Sequence, residues 1–168
     1  MQIKKRYIVI GIVLLIVLSL VALFSILMIT SYNTKGDHND HIEQVAAIAL
    51  EHSPIESVDE SFEFNGESSY FVYLGENNEG KAYYVFVPKT ENVDDIKLLE
   101  QEEGLTKEEM LNQWSSQCTN CELVSISPGI IKGRFIWEII YTTSEQYYFQ
   151  NFSFSDGEIY DSISFQRN

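Results

Sequence analysis

Residues 7–32 form a run, YIVIGIVLLIVLSLVALFSILMITSY, without one charged side chain. At about 1.5 Å of rise per residue, roughly 20 apolar residues cross a hydrocarbon core, so this run predicts a membrane-spanning helix with some tilt. Beyond it the pattern changes to short periodic stretches. Ile42, Val45, Ala46 and Ala49 recur at helical spacing behind Asp40, with Glu43 placed for a capping box and Pro54 as a stop. Ile55–Phe64, Ser69–Leu74 and Lys81–Val87 read as strands, the last two joined by Gly75-Glu76-Asn77-Asn78-Glu79-Gly80. Along the third, Tyr83, Val85 and Val87 fall on one face and Tyr84 and Phe86 on the other.

A charged stretch, Thr90 to Gly104, reads as a connector, after which the pattern restarts. Thr106 and Glu109 form a second capping-box pair, Leu105 is placed to staple Met110, and Met110, Leu111 and Trp114 make an apolar stripe. Four strands are predicted behind this helix: Glu122–Ser127, Gly133–Tyr141, Gln146–Phe154 and Glu158–Phe165, with Asp156-Gly157 as a turn. The order helix-then-strands thus occurs twice. The predicted fold class is α+β: an N-terminal transmembrane helix followed by two tandem helix-plus-antiparallel-sheet units. The divisions are a basic tail (1–6), an anchor (7–32), a stalk (33–39), a first unit (40–89), an acidic connector (90–104) and a second unit (105–168). The alternative is one continuous α+β domain. Each unit is expected to cover one sheet face with its helix and leave the other free.

Charge gives the chain a direction. Lys4, Lys5 and Arg6 precede the apolar run and only Lys35 follows closely, so the N-terminus is expected in the cytoplasm and residues 34–168 outside the membrane. A cleaved signal peptide is the rival reading; the run is too long for one, and Ile26-Leu27-Met28-Ile29 is too bulky for a cleavage site. All 25 acidic residues lie beyond residue 32, and the chain carries a net charge of −14. Such a domain is expected to repel nucleic acid and anionic headgroups, and nothing in it resembles a basic patch. Its wealth of aromatics separates it from acidic disordered chains.

Candidate chemistry is sparse. Cys118 and Cys121 follow the predicted second helix, near the negative end of its dipole and beside Glu122, surroundings that disfavour a thiolate. A local disulfide is the favoured reading, with free thiols and a surface thiol oxidoreductase as alternatives. His38, Asp40 and His41, with Asp37 and His52, lack the second ligand pair a zinc site needs. No nucleophile–base arrangement, phosphate loop or metalloprotease motif occurs. The chain is therefore read as a non-enzyme without cofactor or metal. Binding is what remains, and Tyr84, Phe86, Tyr147 and Phe149 are the candidate partner-contacting residues, unless they pack between the two units.

Tyr70-Phe71-Val72-Tyr73, Lys81-Ala82-Tyr83-Tyr84-Val85-Phe86-Val87-Pro88 and Trp137-Glu138-Ile139-Ile140-Tyr141, behind an anchor, resemble the TseB-like cell-wall elongation regulators of Gram-positive bacteria. The resemblance implies two small PepSY- or cystatin-like units outside the membrane. It also implies a single-pass regulator of peptidoglycan synthesis acting through a penicillin-binding transpeptidase. By analogy with PepSY modules, the alternative function is an inhibitor or chaperone module for an exported protease. The Cys118–Cys121 pair and the acidic balance depart from the family pattern.

Overall fold

A computed structural model describes residues 2–167, with the side chains of residues 14–26, 28 and 41–167. Helix α1 spans Gln2–Glu51. It runs through residues 33–40, where a stalk and a fresh start at Asp40 were expected. Extending a formed helix adds a hydrogen bond per residue, whereas a new one would need a costly nucleus. Pro54 lies just past its end, as predicted. Leu14–Phe24 and their apolar neighbours are more than half exposed. Among the described residues no helix is long and apolar enough to cross a membrane. The expected anchor, 7–32, falls partly on side chains outside the described residues.

Residues 42–168 form one compact unit. Its first sheet orders as β1 (Glu60–Asn65), β2 (Ser69–Glu76), β3 (Ala82–Pro88) and β4 (Lys97–Glu100), all antiparallel. The stretch expected as a connector therefore supplies an edge strand: Leu99 is set opposite Tyr84 and buried. Two apolar residues were enough for this, flanked by the 3₁₀ turns Val93–Asp95 and Gln101–Glu103. β1 is shorter than predicted because Ile55 leaves the strand run to pack against α1.

Helix α2 (Lys107–Gln117) starts at Thr106 through the capping box the sequence shows: Glu109 N–H donates to Thr106 Oγ1 (3.2 Å) and Thr106 N–H to Glu109 Oε2 (2.8 Å). The second sheet orders as β5 (Glu122–Ile131), β6 (Arg134–Thr142), β7 (Gln146–Ser153) and β8 (Ile159–Gln166). Pro128 is tolerated in β5 because that strand is an edge, where one side of the backbone needs no ladder partner.

Strand alternation divides the apolar residues between two cores. Phe71, Tyr73, Val85 and Val87, on one face of the first sheet, meet Val45, Ala49 and Ile55, and Tyr73 Oη donates to the Ile42 carbonyl (2.7 Å). The other face was expected to be free. It is instead buried: Phe64, Val72, Tyr84, Phe86 and Leu99 form one cluster with Met110 and Trp114 of α2 and Trp137, Ile139, Tyr141 and Phe152 of the second sheet. Tyr84 meets Trp137 edge-on at 5.7 Å, Phe86 lies 5.3 Å from Phe135, and Phe62 is 6.4 Å from Trp137. The physical reason is that an aromatic sheet face left in water would forgo far more burial than association costs. Gly129 permits the approach, since a Cβ there would lie 2.4 Å from the Phe64 ring. Each helix stripe still reaches strands of its own half, with Trp114 against Tyr141 at 5.4 Å. The two sheets nonetheless share a core rather than flank a groove.

Candidate functional site

The second sheet pairs residue against residue with little irregularity, so its unshared face can be read in rows. Ile140, Phe149 and Ile163 stand opposite one another across β6, β7 and β8; Thr142, Tyr147 and Phe165 form the next row, and Glu138, Asn151 and Asp161 the row on the other side. Tyr147, Ile163 and Phe165 are 40%, 52% and 58% exposed, unusual for three large apolar groups on one face. Phe149 is half-buried and meets Phe165 edge-on at 5.9 Å.

The polar row offers acceptors. Burial pushes the Glu138 carboxyl above its usual range, and the carboxylate has no donor among the described residues. Asn151 is buried, and its Oδ1 has no hydrogen-bond partner there. Asp161 accepts from the Ser162 N–H at 2.9 Å. Two acceptors short of donors in a low-dielectric setting make this row a place for a cationic or N–H-bearing group.

β8 is also the sheet's open edge. Arg167 N–H donates to the Glu145 carbonyl (2.8 Å), which fixes the alternation of the β7–β8 ladder. Ser162, Ser164 and Gln166 accordingly turn their backbone groups away from β7. From Ile163 to Gln166 the strand has no proline, lysine or bulge of the kind that blunts an edge.

The residues singled out from sequence separate here. Tyr84 (1% exposed) and Phe86 (0%) sit in the shared core and are closed to a partner, the packing alternative named above. Tyr147 and Phe149 lie on the open face. Cys118 and Cys121 are disulfide-bonded, Cα atoms 5.8 Å apart, at the C-terminal end of α2. Among the described residues no group of three or more His, Cys, Asp or Glu is arranged for a metal, and the side chains of His38 and Asp40 lie outside them. Ile163, Phe165, Glu138 and Asn151 were missed. Alternation in Ile159–Phe165 showed that one face of β8 is apolar but not that nothing covers it.

Residues 46–88 match the family model of the cell wall elongation regulator TseB-like domain. The resemblance to TseB-like regulators is shown. The matched stretch holds the last turns of α1 and strands β1–β3, including the Tyr70–Tyr73 and Lys81–Pro88 runs that carried the resemblance. Among solved structures, the YpmB protein from Bacillus subtilis is similar over 73% of this chain and 95% of its own, at 25% identity and a TM-score of 0.61. No protein of curated function matches. The matched model is that of a cell wall elongation regulator domain, and it covers residues 46–88 of the 168.

Proposed function

We propose that this chain is a non-enzymatic, single-pass regulator whose C-terminal domain binds a penicillin-binding transpeptidase outside the cell membrane. The observation that carries the reading is the TseB-like match over residues 46–88. The uncharged run 7–32 with Lys4, Lys5 and Arg6 before it supports the anchor and its orientation. The face of Tyr147, Phe149, Ile163 and Phe165 is where the transpeptidase docks. Its occupant is an extended segment that pairs with β8, lays apolar side chains on the two apolar rows and brings one Lys or Arg to Glu138 and Asn151. Main-chain pairing supplies affinity in such strand addition, and alternate side chains supply selectivity. A cation suits the site because the described acceptors have none of their own.

The test is a photo-crosslinking residue placed at Ile163 or Phe165 in living cells, with the exposed Val93, in the 3₁₀ turn between β3 and β4, as the control position. Adducts from 163 and 165, but not 93, that carry a fluorescent penicillin label are expected. Adducts with an exported protease would replace this reading with the inhibitor or chaperone one. Labelling only from position 93 would overturn the docking face. Lys132 should react with a membrane-impermeant amine reagent on whole cells; protection until lysis would overturn the orientation.

A further inference from the structure

The described lysines and arginines of the folded unit divide into two groups. Lys81 pairs with Glu100 (2.5 Å) and Glu102 (3.3 Å), Lys107 with Glu60 (2.6 Å), and Lys89 with Glu63. Lys97, Lys132, Arg134 and Arg167 have no ion pair among the described residues. Arg167 stands apart, over the Tyr147 ring at 5.7 Å. The other three gather at one place, the tip of the β5–β6 hairpin.

Two clefts flank that tip and share Gly133 and Phe135. One, of about 260 Å³, is lined by Lys97 and Lys132 beside Tyr70. The other, of about 360 Å³, is lined by Arg134 beside Tyr160, whose ring lies 5.5 Å from the guanidinium. Glu67 and Glu103 also line the clefts, one in each, and neither comes within ion-pair distance of the three cations. In a chain of net charge −14, the two clefts together are lined by three cations and two carboxylates, a local excess of positive charge. The turn itself carries a cost for one of them. Lys132 and Gly133 form a two-residue turn with φ of 50° and 76°, where Asn, Asp or Gly is favoured at the first position. A lysine there keeps a charge at the apex in a conformation its side chain disfavours.

We infer that the β5–β6 hairpin binds a polymer bearing repeated anionic groups, laid across Gly133 with one anion in each cleft. Each cleft holds one small group rather than a whole ligand, and their common wall makes a chain that passes over the hairpin the occupant that fills both. Tyr70, Phe135 and Tyr160 offer ring faces for the uncharged parts between anions. The acidic remainder of the domain repels the same polymer, so it is held at this hairpin and nowhere else on the folded unit. The site is separate from the β8 face and does not depend on the transpeptidase reading.

The experiment uses the full chain in nanodiscs of zwitterionic lipid, with inorganic polyphosphate and polygalacturonate as the two probes. Binding of either at low salt is expected, and which one binds identifies the anion as phosphate or carboxylate. Three contacts give a salt slope of about two, so affinity should fall about a hundredfold for each tenfold rise in salt. A Lys97→Gln, Lys132→Gln, Arg134→Gln variant should lose that slope and bind at least tenfold more weakly. All three side chains are exposed, so it should keep the parent melting temperature. A second variant, Lys97→Arg, Lys132→Arg, Arg134→Lys, should bind as the parent does. Failure of both probes would overturn the proposal, as would unchanged binding by the glutamine variant. The same would follow from an equal loss on replacing the ion-paired Lys81 and Lys89 by Gln.

Discussion

Trp137→Ala tests whether the two sheets are one cooperative body. Trp137 is fully buried, and its ring meets Phe62, Tyr84 and Phe154 at 6.4, 5.7 and 5.7 Å. Its Nε1–H donates to the Leu105 carbonyl at 3.0 Å, tying the entry of α2 to β6. Truncating a buried Trp to Ala costs about 3–5 kcal/mol. The lost hydrogen bond adds about 1 kcal/mol. A small domain has about 5–15 kcal/mol in total, so this variant stands near unfolding. Trp137→Phe keeps most of the ring and should cost about 1–2 kcal/mol. Urea titration of the full chain in mild detergent, followed by Trp114 fluorescence and by amide exchange in β2–β3, separates the possibilities. With a shared core, fluorescence and first-sheet protection are lost together, at lower urea than in the parent. Parent-like protection of β2–β3 after β6–β7 had opened would refute the shared core and restore two independent units.

Three further outcomes follow from the geometry. Glu138→Gln should raise the melting temperature at neutral pH, because burial makes the ionised Glu138 costly in the folded state. That cost is present above the raised folded pKa and vanishes as pH falls toward the ordinary Glu value, so the gap between variant and parent should close at low pH; a gap that widens there would contradict the assignment. Cys118→Ser with Cys121→Ser should lower stability by at most about 2 kcal/mol, since the closed loop is very short; denaturant midpoints with and without reductant measure it. Thr106→Ala should cost about 1 kcal/mol through loss of the α2 cap, read from the same titration, and an unchanged midpoint would show that the cap is dispensable.

Local features of the fold were legible along the chain. The capping box at Thr106 lies within four residues, and the hairpin joining β2 and β3 is marked by its own turn sequence. The TseB-like resemblance rested on runs of the same kind, and so did the alternation of β3, which assigned Val85 and Tyr84 to opposite faces. What covers each face was not legible. Tyr84 and Tyr147 are both aromatic strand residues, yet one is sealed against Trp137 and the other stands in solvent. Periodicity says that a face is apolar and is silent on which distant element buries it. Acidic flanks hid β4, because pairing with β3 outweighs the weak local preference of Lys97–Glu100 for a strand. Lys97 lies 35 residues from Lys132, so no linear reading shows a basic patch; only the packing of sheet on sheet brings them to one cleft. Side-chain type and spacing set the elements, while long-range burial, which carries most of the free energy of folding, decided what they face.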